Sequence, residues 1–252
     1  MTLRLSHGVL SLAVVACAAD VSERSAAEVS VEPLRVLAAD EMVEGRTQQA
    51  WAIEYARWTY AQTSCDDVPL YDSDGSQCSR YQGADSPVFF LEQSSPSTRS
   101  SVPIVTRTRC RVPANKPLFV PVTMVSIDDG GLSLKRSAEE LLEESLKVRR
   151  SLNDLLMNAD GVLIDDLDSR ALDPIEFSYH VPKAPNYYSC QDGFQEEVTD
   201  EVIQPSYLTG AFVMFEAPSS GPHHIEYGGT HTYYSLTKKF HVDAHFEVES
   251  AD

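Results

Sequence analysis

A mainly β, α+β domain, built as a β-sandwich with two packed helices, is the fold class this sequence predicts. Three observations predict it. Short runs rich in Val, Ile, Phe and Tyr recur between clusters of Gly, Pro, Asp and Ser, as strands recur between turns. Only two segments carry firm helical periodicity. A leader followed by an even set of cysteines points to an exported, disulfide-braced domain. The 252 residues, 42% hydrophobic and 23% charged, suffice for one such domain with a sizeable core.

Residues 1–17 read as a signal peptide. Arg4 is their one Lys or Arg and no acid accompanies it, and Val9–Ala16 is an apolar run. That run is far shorter than the roughly 20 residues a membrane span needs, but suits a signal-peptide core. Val14-Val15-Ala16-Cys17 resembles the bacterial lipobox, which implies that Cys17 is lipidated and becomes the mature N-terminus. The alternative is soluble secretion, with Ala16-Cys17-Ala18 as a small-x-small cleavage site. Residues 18–45 read as a tether or N-terminal extension, within which Val29–Leu37 is able to add an edge strand. A single strand-rich domain is expected over 46–252.

Of the five cysteines, Cys17 belongs to the leader, leaving Cys65, Cys78, Cys110 and Cys190. Four cysteines allow three connectivities. Cys78 with Cys110 and Cys65 with Cys190 is the preferred set, because Cys78 and Cys110 each flank a strong strand, Ser86–Leu91 and Lys116–Val125. No Cys-x-x-Cys occurs, so the spacing does not match a zinc site.

The periodicity predicts a first helix over Arg46–Thr63, with Trp51, Tyr55, Trp58 and Gln62 on one face. Packing of that stripe on a sheet is expected; an aromatic platform for glycans is the alternative. Asp72-Ser73-Asp74-Gly75 lacks the remaining ligands of a calcium loop and reads as a turn. Strands are expected at Pro87–Leu91, Val102–Arg111 and Pro117–Val125, with the prolines of the last marking an edge or a bulge. Ser94–Ser101 reads as a polar loop. Ser137 with Glu140 forms a capping box that opens a second helix, expected to run to Asn158 on a stripe including Leu141, Val148, Leu152, Leu155 and Leu156. Strands follow at Val162–Ile164, Phe177–Val181, Ala211–Phe215, His224–Tyr227 and Phe240–Val248.

Lys plus Arg is 20 and Asp plus Glu is 38; loss of Arg4 with the leader leaves 19 − 38 = −19. Such a field repels phosphate backbones and argues against nucleic acid as a partner. No nucleophile elbow, Walker loop, dinucleotide fingerprint or His-Glu-x-x-His is present. Asp128, Asp129, Asp160, Asp165, Asp166 and Asp168 sit in apparent turns, where Asp serves the backbone. On the last strand His241, Asp243 and His245 share a face, with His223, His224 and His231 as further ligands nearby. The expectation is nonetheless no cofactor, with calcium or a transition metal as the alternative.

Trp51 and Trp58, the stretch from Gly83 to Leu91, Cys110–Val122 with its Cys-x-Val-Pro-x-x-Lys pattern, Ser137–Leu142, Asp160-Gly161 and Gly221–Ile225 together resemble a family of uncharacterised exported bacterial proteins or lipoproteins. Asn115 and Phe89 depart from its pattern, where Gly and Trp are usual. The resemblance implies export, one domain and a Cys78–Cys110 disulfide, and no activity. Gly221-Pro222-His223-His224-Ile225 also looks like the late hairpin of immunoglobulin-like modules, which implies a sandwich that is immunoglobulin-like in part. The expected role is a non-catalytic binding or structural protein of the outer membrane or cell surface, meeting an envelope protein or glycan. The alternatives are a secreted or periplasmic location and a metal-assisted exported hydrolase.

Overall fold

The computed structural model describes residues 31–65, 69, 72, 74–83, 85–92, 104–130, 135–190, 198, 200–233 and 236–249. The expected leader with Cys17, the expected Ser94–Ser101 loop and the segment around Gly193 lie outside the described residues. Among the described residues, two helices and nine strands follow in the order α1 (Gln48–Tyr60), β1 (Phe89–Phe90), β2 (Ile104–Pro113), β3 (Leu118–Ile127), α2 (Ala138–Ser151), β4 (Asn153–Ala159), β5 (Val162–Leu163), β6 (Ala171–Val181), β7 (Glu201–Phe215), β8 (Gly221–Tyr233) and β9 (Leu236–Glu249).

The strands form two mixed sheets, of order β1-β3-β7-β6 and β2-β9-β8-β4-β5. Side chains alternate across a strand, and here both faces of the four-stranded sheet are apolar. Leu118, Val120 and Val122 of β3, with Ala211, Val213 and Phe215 of β7, turn toward Val242, Ala244 and Phe246 of β9 and fill the space between the sheets. Phe119, Leu208, Phe212 and Met214 turn the other way and receive α1. The layers are therefore helix, sheet, sheet, and the far face of the five-stranded sheet meets solvent.

Helix α1 starts where Thr47 accepts a hydrogen bond from the Ala50 N–H, satisfying one of the free donors of its first turn. Trp51 and Trp58 are only 4% and 9% exposed, so the aromatic stripe is core and not an exposed platform. Tyr55 meets Phe90 edge-on, with ring centroids 5.6 Å apart. The tryptophan N–H groups donate to the carbonyls of Val43 at 3.0 Å and Tyr81 at 2.8 Å, as a buried indole requires.

The predicted capping box is present at α2: Ser137 Oγ accepts from the Glu140 N–H at 3.2 Å, and the Glu140 carboxylate accepts from the Ser137 N–H at 2.7 Å. Leu141 and Val148 are buried with Ile127 and Tyr207 in a small separate core, each contributing roughly 2 kcal/mol by removal from water. The helix ends at Ser151, well short of Asn158. Leu152 is extended, Asp154 takes a positive φ of 52°, and Asn153 begins β4. Asn and Asp compete for backbone hydrogen bonds and tolerate that conformation, so Asn153-Asp154 stops the helix despite the leucines beyond it. Leu155-Leu156-Met157 is instead strand, with Met157 buried and Leu156 40% exposed.

Pro121 sits at a register shift between β3 and β7, the bulge its missing N–H demands. The N-terminal segment is packed from Leu34 onward. Val36 bridges Phe215, the Leu37 N–H donates to the Met214 carbonyl at 2.9 Å, and Leu34, Leu37 and Val43 are buried. This short pairing continues the sheet where the contact of β6 with β7 stops at Ala171 and Ala211.

Both expected disulfides close, Cys65–Cys190 with Cα atoms 5.2 Å apart and Cys78–Cys110 with Cα atoms 5.5 Å apart. Asp72 is a turn former: one carboxylate oxygen accepts from the Gly75 N–H at 3.0 Å and the other from the Gln77 N–H at 2.7 Å. The carbonyl of Asp74 then accepts both the Thr108 and Arg109 N–H groups at 3.0 Å, holding the β2 bulge next to Cys110.

Candidate functional site

The ligand-type side chains gather on the solvent face of the β8–β9 hairpin. The register places His224 opposite His245, Glu226 opposite Asp243 and Gly228 opposite His241. Residues directly opposite on an antiparallel pair lie about 5 Å apart, whereas residues four apart along one strand are separated by roughly 13 Å. The constellation therefore forms across the strands. His224 Nε2 lies 2.7 Å and His245 Nε2 3.1 Å from the same Asp243 Oδ1. The two imidazoles stack with centroids 4.2 Å apart and planes 10° from parallel. All three candidate ligand atoms fall within 4.8 Å of one another.

His241 does not join this group. It turns to Glu226, with Nε2 to Oε1 at 2.9 Å. Of the three residues that share a face of β9, the structure brings Asp243 and His245 together; His224, named in the sequence only as a further ligand nearby, takes the third place from the facing strand. His223 points inward and is fully buried, and His231 packs near Phe240 with centroids 5.8 Å apart. No alternation argument on one strand alone could have identified His224; the hairpin register was needed.

The carboxylates away from this face do structural work. Asp160 Oδ2 lies 2.7 Å from His223 Nδ1, and the same aspartate accepts the Leu34 N–H at 2.9 Å and the His224 N–H at 2.8 Å. His223 Nε2 is 2.9 Å from the Ser219 carbonyl. Both ring nitrogens thus face acceptors that cannot donate, which fits the imidazolium form. Asp128 accepts from the hydroxyls of Tyr179 at 2.8 Å, Tyr188 at 3.0 Å and Ser206 at 3.2 Å. Burial first, then Tyr187 and Asp128, raise the Tyr60 phenol well above its usual value; burial and Asp128 do so for Tyr188, and burial, Tyr60 and Asp128 for Tyr179. These phenols stay protonated, and those of Tyr179 and Tyr188 donate to Asp128. Asp129 pairs with Arg136 at 2.6 Å, and Asp166 with Arg170 at 2.8 Å.

Glu92 is buried between α1 and β2. Tyr55 donates to its Oε1 at 3.0 Å, Oε2 has no hydrogen-bond partner among the described residues, and both amide atoms of Gln62 are likewise unsatisfied. Burial pushes this carboxyl up to about 8, against the lowering pull of the Arg107 guanidinium and the Tyr55 hydroxyl, so it is a neutral acid at neutral pH. No sequence signal marked it.

A cleft of about 340 Å³ opens beside α1, lined by Glu44, Arg46, Trp51, Glu54, Ser86, Pro87 and Phe90. The Arg46 guanidinium lies over the Trp51 ring at 5.1 Å, covering the indole. A third surface feature is apolar: Leu156, Val162 and Leu163 of the β4–β5 hairpin are 40%, 50% and 66% exposed. No family model, curated protein or solved structure matches the chain. Two closed disulfides point to an oxidising, non-cytoplasmic environment for the chain. Among the described residues no helix is long and apolar enough to cross a membrane.

Proposed function

We propose that this chain is an exported bacterial lipoprotein, anchored through Cys17 at the outer membrane or cell surface, and that it acts as a non-catalytic binding or structural module. The observation that carries the reading is the pairing of all four domain cysteines behind a leader that ends in a lipobox-like Val-Val-Ala-Cys. Membership in the exported bacterial family that the Cys110–Val122 segment resembles belongs to the same reading. A binding role is supported by Leu156, Val162 and Leu163, which leave apolar surface at one sheet edge where water would otherwise favour polar side chains. With a mature charge near 19 − 38 = −19, the favoured contacts are neutral or cationic envelope components.

The test is the intact mass of the native protein from fractionated cells, with and without reductant. A chain beginning at Cys17, carrying acyl mass and gaining four hydrogens on reduction, matches the two disulfides and the anchor. A chain that begins nearby without lipid refutes the anchor, and one that gains no hydrogens refutes the oxidised domain.

A further inference from the structure

We infer that His224, Asp243 and His245 form a binding site for a divalent first-row transition metal ion such as Zn²⁺, Cu²⁺ or Ni²⁺. The argument begins with donor chemistry. Two imidazoles and one carboxylate are the mixed nitrogen and oxygen set that these ions prefer, whereas calcium and magnesium take oxygen sets. It continues with geometry. In a tetrahedral site with bonds near 2.0–2.1 Å, adjacent ligand atoms stand roughly 3.3 Å apart. Here the Asp243 oxygen already lies 2.7 Å and 3.1 Å from the two Nε2 atoms. The three ligand atoms lie within 4.8 Å of one another, and an ion is reached by turning the stacked imidazoles about their side-chain bonds until both nitrogens face it.

Preorganisation supports the same conclusion. The β8–β9 pairing runs without a register shift from Gly221↔Val248 to Tyr233↔Leu236, so the opposed imidazoles are fixed by a continuous ladder. The inward neighbours Ile225, Ala244 and Phe246 are buried, anchoring the backbone beneath the site. The His224 Nε2 proton points at Asp243 Oδ1, with His245 Nε2 close by the same oxygen; a metal ion takes the place of that proton with a larger charge. The strongly acidic chain concentrates cations near its surface. The side chains of His224, Asp243 and His245 are 36%, 32% and 50% exposed, so an ion held by three protein ligands keeps positions open to water or to a donor from another molecule. His241 and Glu226 sit beside it as a separate pair.

The experiment is isothermal titration of the untagged, exported chain, first stripped with chelator, using ZnSO₄, CuSO₄ and NiCl₂ in turn. Cobalt(II) absorption reads the coordination. The expected result is saturable binding of one equivalent of at least one ion, lost in Asp243→Asn and in His245→Ala, and kept in His241→Ala and in His180→Ala on β6. Urea unfolding and the reductive mass shift confirm that each variant is folded with both disulfides closed. No saturable binding by the folded wild type overturns the inference. So does binding that survives His245→Ala, or binding lost in His241→Ala and kept in His245→Ala.

Discussion

Replacing His223 with Gln should destabilise the protein in a manner that weakens as the pH rises. The imidazole is fully buried, stacks near Phe246 with centroids 5.7 Å apart, and spans from the Asp160 carboxylate to the Ser219 carbonyl. Breaking a buried pair by removing one partner costs about 3–5 kcal/mol. The Asp160 side chain keeps 16% exposure, and the N–H groups of Leu34 and His224 remain bound to it. The residual charge is therefore partly satisfied, and the loss should fall near 2–3 kcal/mol, in the range of one hydrogen bond to a charged group. For a domain of this size that lowers Tm by roughly 4–12 °C. The pH dependence follows from the shifts. Burial works against the His223 cation, but the hydrogen bonds to Asp160 and Ser219 outweigh it and raise the group above 6.5. Its contribution is complete below that value and fades as pH climbs through the higher folded-state value. Burial likewise works against the Asp160 carboxylate, but His223 and the two backbone donors hold it below 3.8, so its contribution fades only as pH falls through that lowered value. The difference between wild type and His223→Gln should be greatest at about pH 5–6 and shrink at about pH 9. Urea unfolding at several pH values measures it. A difference that stays constant, or grows toward alkaline pH, refutes the imidazolium assignment.

Other perturbations follow from the same structure. Glu92 has its folded value raised to about 8 from 4.5, so wild-type stability should fall as pH rises between those values. Glu92→Gln should accordingly stabilise the protein by about 2–4 kcal/mol near neutral pH, and that gain should vanish below about pH 4.5, as read by urea unfolding. A destabilised variant at neutral pH would refute the neutral-acid assignment. Removing the Cys65–Cys190 bridge as a double Ser variant should cost more than removing Cys78–Cys110, because the residues are 125 apart against 32. Loop-closure entropy gives about 5 and about 4 kcal/mol respectively, checked by denaturant midpoints at matched m-values.

Much of the fold was legible because local signals and tertiary demands agreed. The Trp51–Tyr55–Trp58 stripe, the Ser137–Glu140 box, the Pro121 bulge and the alternating β9 pattern each appear where the residues placed them. The error at α2 had the opposite cause. Leu152, Leu155 and Leu156 continue a helical stripe in composition, but two residues with competing side chains, Asn153 and Asp154, redirect the backbone into a strand that β8 then pairs. Only one strand of the candidate site was legible. Asp243 and His245 stood out by alternation, but the choice of His224 over His241 depends on a register set by thirteen paired positions. Glu92 and the Asp128 cluster were not legible at all, since burial of a polar group is decided by long-range packing.

The placement of β2 has a consequence for the order in which the chain can fold. Its sole strand partner among the described residues is β9, in parallel, with Ile104 against His241 and Pro113 against Glu249. A chain that emerges N-terminus first carries β2 without an edge to pair with until its last strand is free. The Cys65–Cys190 bridge imposes a similar delay, since its second sulfur follows the first by 125 residues. Non-local closure of this kind slows folding. If the chain is exported as proposed, that slowness would keep the polypeptide threadable through a translocation pore until nearly all of it had crossed.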